Sequence, residues 1–562
     1  MADENNTPEP VRPLAITQDK DGNTKATSNT SPEGFKVRGM IHLWPKIVIP
    51  VIFVPGVMGT NLKVKDDTAK AWVAPTGTFS KLGALWKYKG QDAATRQKIL
   101  NPNTTEVDPG GSINVWPQNA GLMHAPGKGK TPKEVAHWRG WGEVHEESYR
   151  SILNELEQQL GNMLHEGEPT QYWRDYVLHP SASEFGARKP WQPLTEEEIK
   201  KAAKAAYPVH ACGYNWLQSN RDSGQHLKAR IQEIIDYYQG QGHLCDKVIL
   251  VTHSMGGLAS RACVKMAGGE DLILGILHGV MPAIGAPAAY KRMRAGFEGA
   301  ESVILGRNAA EAAAVLGNAP AGLELLPTAE YFTKIEEKQR PWLRATGKSQ
   351  DTLLGVGDPY ETIYRDQDPQ HWWRMIKVEL LNPLGREKKE SGYKKTSLPI
   401  KNPRIDEGEG DFESFSELLN IAKDFHQELK GAYHKKTFSF YAADADCKSW
   451  NEVQWLTKDA TEALPEGEII ADDLVGNITV QLPNGPAKFK IQSPKGRGDG
   501  TVPEESGEAP LEASIQCFRH EGTAKGHISY EHQYCYNNNL TKGVALYSIV
   551  KLAIASPIFE KE

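Results

Sequence analysis

Val248-Ile-Leu-Val-Thr-His-Ser-Met-Gly-Gly257 decides the fold of this chain. A β-branched run ends abruptly at a serine, and small residues follow at once. A strand, one sharp turn carrying the serine and then a helix make up a nucleophile elbow. Such a turn forces Ser254 into a positive-φ conformation that lifts its Oγ clear of the sheet. The crowding demands small neighbours: Gly256 meets that demand, and Gly257 lets the helix pack closely. Thr252 stands where the usual pattern has glycine. The helix start also aims backbone N–H groups at the site, which favours an anion there. Ser-X-Gly alone is common, and a plain buried strand ending in a glycine turn shares it. Three further segments, in the order this chemistry requires, separate the two.

Far upstream, Pro50-Val-Ile-Phe-Val-Pro-Gly-Val-Met-Gly-Thr60 is a hydrophobic strand running into a Gly-rich loop. In an α/β-hydrolase arrangement this loop supplies one oxyanion-hole N–H, and the residue after the nucleophile, Met255, supplies the other. Gly56 lets the backbone turn, leaving the amide of Val57 (or Met58) to donate. A phosphate-binding loop is set aside, because no Gly-Lys-Ser/Thr follows. Gly498-Asp-Gly-Thr-Val-Pro503 offers Asp499 as the acid that orients a histidine and stabilises its cation. Asp-Gly is also a common turn dipeptide, and Asp444 and Asp446, after Phe438-Ser-Phe-Tyr-Ala-Ala443, are its rivals. Gly526-His-Ile-Ser-Tyr-Glu-His532 follows the strand-like Ala513–Phe518. His527 there is the expected general base, completing the chain order Ser, Asp, His. Of the 17 histidines, His532 and His520 are its competitors.

With these segments in place, the chain resembles the lipase branch of the α/β-hydrolases that includes the lecithin–cholesterol acyltransferase-like and GPI-inositol-deacylase-like enzymes. Val54-Pro-Gly-Val-Met-Gly-Thr60, His253-Ser-Met-Gly-Gly257, Gly285-Ala-Pro287, Gly498–Pro503 and the late Gly526-His-Ile528 carry the likeness. Tyr214-Asn-Trp216 stands where acyltransferase-like members have Tyr-Asp-Trp. The resemblance covers roughly 45–62, 206–290 and 437–550. Within the branch the chain looks most like bacterial type VI secretion lipase effectors, on overall length, N-terminus and the run Tyr214-Asn-Trp-Leu-Gln-Ser-Asn220.

Composition agrees with an enzyme of this class. At 562 residues the chain is long for one domain, but hydrolase cores with large caps reach this size. No apolar run approaches the roughly 18 residues needed to span a bilayer. A net charge of −6 provides no basic footprint for nucleic acid, and it means a membrane lipid must be reached by apolar contacts. Met1-Ala-Asp-Glu-Asn-Asn-Thr7 has neither a basic n-region nor an apolar h-region, so the expectation is synthesis in the cytoplasm without a signal peptide. The six cysteines lack metal-ligand spacing and read as reduced thiols.

Breakers and periodicity organise the chain. Residues 1–40 are polar and read as a flexible leader. The core is expected at 41–290 and 437–562, with an ordered insertion at about 63–140, and a cap or lid at 291–436. Tyr149, Ile152, Leu153, Leu156 and Leu160 mark one helical face stopped by Gly161. Leu227, Ile231, Ile234, Ile235 and Tyr238 mark another, ended by Gly240. Strands alternating with helices predict an α/β fold with a mostly parallel sheet. After Pro287 come short Ala-rich helical pieces separated by glycines, as a lipase cover requires. Ile478–Ile491 reads as a hairpin turning at Asn-Gly. The acidic Asp406-Glu-Gly-Glu-Gly-Asp411 lacks EF-hand spacing, so neither metal nor cofactor is expected.

The expected chemistry is ester hydrolysis through an acyl-enzyme, with His527 taking the Ser254 proton and the amides of Val57 and Met255 holding the oxyanion. The resemblance implies a membrane-lipid ester, most plainly a glycerophospholipid acyl bond. It also implies a cognate immunity protein, a secretion spike carrier, and delivery by type VI secretion into a target-cell periplasm or host cell. Two alternatives stay open: an acyltransferase with the same triad, and a non-catalytic hydrolase-like binding protein. The latter usually lacks a triad member, whereas all three positions are filled here.

Overall fold

Strands whose two faces are both apolar must be covered on both sides. In this protein six of them form one parallel sheet: β1 (Val51–Val54), β2 (Val209–Ala211), β3 (Val248–His253), β4 (Ile273–Gly279), β5 (Thr437–Ala442) and β6 (Gln516–His520). Their spatial order is β2-β1-β3-β4-β5-β6. The computed structural model describes residues 11–13, 16–18, 24–26, 38–40, 45–73, 90–114, 131–299, 302–335, 338–385, 409–522 and 530–561.

Successive side chains point to opposite faces of a strand, and that alternation divides the core in two. Val51, Phe53, Ile249 and Val251 pack with helices α1 (Glu146–Leu160) and α4 (Asn539–Ile554). Ile52, Val54, Val248 and Leu250 pack on the other face with α2 (Asn220–Gly240) and α3 (Gly256–Lys265). Each such fully buried aliphatic contributes roughly 2 kcal/mol of transfer free energy. The helical faces predicted from periodicity are the buried ones: Tyr149, Ile152, Leu153, Leu156 and Leu160 on α1, which stops at Gly161. On α2 they are Leu227, Ile231, Ile234, Ile235 and Tyr238, and its N-terminus is capped by the Ser219 hydroxyl.

A second core lies in a separate six-stranded sheet ordered 351–353, 343–346, 453–457, 485–491, 477–482, 468–472. Trp342, Trp372, Trp455 and Phe489 fill it, together with Pro287–Ala295 and Glu409–Leu429. The cap was expected within 291–436, yet Leu343–Thr346 pairs in parallel with 453–456. The second sheet therefore draws on chain from both sides of β5. The hairpin at 477–491 belongs to it, turning through Pro483 and Asn484 with Gly485 next at φ 117°.

Within the expected leader, Val11–Pro13 pairs with Arg38–Met40 and Ile16–Gln18 with Thr24–Ala26. In the 63–140 insertion, Leu62–Val64, Lys70–Trp72 and Thr105–Val107 form a small antiparallel sheet. Residues 386–408, which include Arg386-Glu-Lys-Lys-Glu390 and the first part of the acidic cluster, lie outside the described residues. Among the described helices none is long and apolar enough to cross a membrane.

Candidate active site

β3 ends where its ladder stops and the chain must turn. Ser254 follows at φ 52°, a left-handed conformation that a residue with a Cβ adopts only at a cost. Its N–H donates to the Gly279 carbonyl (2.8 Å) and its own carbonyl accepts from Gly257 N–H (2.9 Å), so the turn is closed on both sides. The crowding predicted for Gly256 is real: a Cβ there would run into the carbonyl oxygens of Pro55 and Val54, the latter 2.5 Å away. At Gly257 a Cβ would fall 2.7 Å from Met281 Cγ. Thr252 is buried with its hydroxyl 3.3 Å from Nδ1 of His278 on neighbouring β4.

Ser254 Oγ lies 2.8 Å from His532 Nε2, and His532 Nδ1 lies 2.7 Å from Asp499 Oδ2. A carboxylate only accepts, so Nδ1 carries the proton and Nε2 is left to accept from the serine hydroxyl. Asp499 is nearly fully buried, and its Oδ1 accepts the backbone N–H groups of Thr501 (3.0 Å) and Val502 (2.7 Å). His532 N–H donates to the Asp499 carbonyl at 2.8 Å, a second link between acid and histidine. The turn His532–Asn537 is anchored by Tyr536, whose hydroxyl donates to the Thr252 carbonyl (2.7 Å) and whose ring packs edge-on against Phe53 and Phe440.

The structure thus brings Ser254 and Asp499 together through His532, not through the expected His527. His527 lies outside the described residues. The rivals are engaged elsewhere. His520 is buried, bonded through Nδ1 to the Tyr530 hydroxyl (2.7 Å), and burial pushes its pKa down to about 3. Asp444 accepts Tyr530 N–H and Asp446 N–H, so it fastens the segment leading to His532 without touching the imidazole.

The loop after β1 is pressed onto the elbow. A Cβ on Gly56 would meet His253 Nδ1 at 2.8 Å and Ser254 Cβ at 2.9 Å. Residues 56–59 close a turn through Gly59 N–H to the Gly56 carbonyl (3.0 Å), with Met58 at φ 61°. Its pins come from elsewhere in the chain. Tyr214 Oη donates to the Pro55 carbonyl (2.9 Å), Trp72 Nε1 to the Met58 carbonyl (2.9 Å) and Trp216 Nε1 to the Thr60 carbonyl (3.2 Å). Tyr214-Asn-Trp216 is therefore a brace for this loop. Among the described residues, no acceptor takes the amide of Val57 or of Met255, which leaves both to donate. No group of three or more His, Cys, Asp or Glu among the described residues is disposed to hold a metal ion.

This architecture recurs in the Tle4-Tli4 complex, a crystal structure 32% identical to this chain with a TM-score of 0.74, covering 90% of this chain and 99% of that one. The chain belongs to the α/β-hydrolase lipases of the Tle4 type. The PGAP1-like alpha/beta domain family also matches residues 218–297, which span the elbow and the Gly285-Ala-Pro287 turn. Two structures of the Bacillus licheniformis lipase BlEst2 overlap only in part. The mature form is 20% identical over 22% of this chain and 44% of that one, TM-score 0.15. The propeptide form is 18% identical over 32% and 36%, TM-score 0.16. No curated protein matches the sequence.

Proposed function

We propose that this Tle4-type hydrolase is a serine lipase that cleaves a carboxylic ester bond of a membrane lipid through an acyl-enzyme. The observation that carries it is the relay from Ser254 to His532 to Asp499 at 2.8 and 2.7 Å, on a serine at φ 52°. His532 takes the serine proton as Oγ attacks the ester carbonyl, then delivers it to the leaving alcohol. A water, activated by the same imidazole, resolves the acyl-enzyme. The amides of Val57 and Met255 hold the oxyanion, each worth about 3 kcal/mol in sites of this kind. The bond we assign is an acyl ester of a phospholipid. Likeness to Tle4, a protein found in complex with Tli4, supports an antibacterial effector that leaves the cytoplasm by type VI secretion on a spike carrier. Its cognate immunity protein would hold it inactive.

Release of fatty acid from mixed phospholipid vesicles by wild type, S254A, H532A and H527A tests this. Turnover lost in S254A and H532A but kept in H527A is expected. Lipid turnover that survives S254A would refute the mechanism, and loss in H527A with retention in H532A would return the base to His527.

A further inference from the structure

Behind the serine runs a hydrogen-bond chain whose protons have a single arrangement. His253 is 1% exposed. Its Nε2 lies 2.9 Å from the His532 carbonyl oxygen, which can only accept, so Nε2 carries a proton. Burial, helped by the neighbouring His532, pushes the His253 pKa down to about 3 and keeps the ring neutral, so Nδ1 is bare. Nδ1 lies 3.0 Å from Tyr149 Oη, and the tyrosine must commit its one proton there. Its oxygen then accepts Gly56 N–H at 3.1 Å. The four groups come from the loop after β1, helix α1, the last residue of β3 and the turn after β6.

We infer that Tyr149 and His253 are positioning residues that hold the oxyanion loop and the general base in register with each other. This deepens the serine-lipase assignment and rests on it. The peptide that carries the Val57 amide is held through its Gly56 carbonyl by Gly59 N–H (3.0 Å), and the peptide before it, across the Gly56 hinge, is held by Tyr149 through Gly56 N–H. Glycine is free to swing about that hinge, so both bonds are needed to aim the Val57 amide. With the Gly56 amide taken by Tyr149, the next amide in the loop is the one left for substrate. His532 is held at both backbone ends: its N–H by the Asp499 carbonyl, its carbonyl by His253. Tilting that peptide displaces the imidazole that must stay 2.8 Å from Ser254 Oγ. Neither residue is hydrogen-bonded to Ser254 Oγ or to an imidazole nitrogen of His532, although the His253 ring packs on the His532 ring with centroids 4.9 Å apart. The Tyr149 ring also packs on Phe53 with centroids 4.9 Å apart, and Phe would preserve that packing while deleting the hydroxyl.

Hydrolysis of p-nitrophenyl butyrate by Y149F, H253N, H253Q and Y149F/H253N, with S254A as blank, separates positioning from folding. Turnover is expressed per serine titrated to completion with a fluorophosphonate, so misfolded protein does not count. H253N keeps an acceptor near Nδ1 and loses the donor to His532; H253Q keeps that donor. Y149F and H253N are each expected to lower kcat roughly 10- to 100-fold, with KM within about twofold. H253Q is expected to recover part of the loss. The double variant is expected to lie within about threefold of the worse single, because one chain is broken in each. A Y149F kcat per titrated site within threefold of wild type, or fully multiplicative losses, would overturn the inference. S254A at wild-type speed would instead fail the serine assignment; an inert S254A beside a full-speed Y149F fails the positioning role alone.

Discussion

Replacing Asp499 by asparagine changes one atom, and the structure dictates where that atom goes. Oδ1 accepts two backbone N–H groups, from Thr501 at 3.0 Å and Val502 at 2.7 Å. An NH2 cannot face two donors, so the asparagine carbonyl oxygen must stay on that side. The amide nitrogen is then forced against His532 Nδ1, 2.7 Å away in the wild type. Nδ1 must now accept, the imidazole proton moves to Nε2, and Nε2 donates to Ser254 Oγ instead of accepting from it. The base is in place and in the wrong tautomer. In relays of this kind that fault costs about four decades in kcat, or about 5 kcal/mol of transition-state stabilisation at 1.36 kcal/mol per decade. Thermal stability should hold within a few degrees, because the two backbone bonds survive. The assay is kcat/KM on a short-chain ester beside thermal unfolding of the same preparation. A loss smaller than about 100-fold in a folded D499N would refute the assignment of proton positions, and with it the role of Asp499.

Three further outcomes are expected from the same structure. Asp444→Asn should keep most of the activity, since Asp444 bonds Tyr530 N–H and Asp446 N–H and not the imidazole; a loss as deep as that of D499N would make Asp444 the acid. Ala is normally the better helix former by about 1 kcal/mol, so Gly256→Ala should stabilise α3 if a Cβ fits. Because that Cβ meets the backbone of Val54 and Pro55, the expected result in thermal unfolding is a loss of about 1–3 kcal/mol. Glu324 is fully buried; desolvation raises its pKa from 4.5 to about 7, although its carboxylate accepts from Ser219 Oγ and from Asn220 N–H and Nδ2. The native state therefore keeps a proton that the unfolded chain has lost. Its contribution is complete below about pH 4.5 and disappears as pH rises through about 7, an amplitude of about 3 kcal/mol. Glu324→Gln should flatten the fall in melting temperature across that window; an unchanged slope would exclude Glu324 as its source.

The serine side of the site was legible because its signals are short-range. The unbroken β-branched and apolar run Val248–Val251 reads as a strand buried on both faces, and glycine two residues past Ser254 is demanded by the carbonyls of Val54 and Pro55. The helical faces of α1 and α2 obey a period that needs no knowledge of their partners. The boundaries of the second sheet were not legible in that way. Leu343–Thr346 pairs with a strand more than 100 residues later, beyond β5, and no local pattern announces such a partner. The small antiparallel sheet in the 63–140 insertion escaped for a similar reason, since its strands are three residues long.

On the histidine side, the imidazole bonded to Ser254 lies five residues beyond the one that the motif offers. Gly526-His-Ile528 is a recognisable string, whereas His532 has nothing distinctive beside it in sequence. What selects His532 is reach. Its N–H meets the Asp499 carbonyl, and four residues later Tyr536 fastens the same turn to the Thr252 carbonyl at the end of β3. His253, beside the nucleophile, closes the frame from the other end through the His532 carbonyl. A serine set by a sheet needs only local rules, because the strand supplies its rigidity. A base set by a loop has to borrow rigidity from at least three distant groups, each visible only after folding. Two consequences distinguish the sides in mutagenesis. Changes at the elbow, such as Gly256→Ala, should register first in stability, since they strain the core. Changes in the borrowed pins, such as Tyr149→Phe, should register first in turnover, since they leave the core packed and release only the geometry.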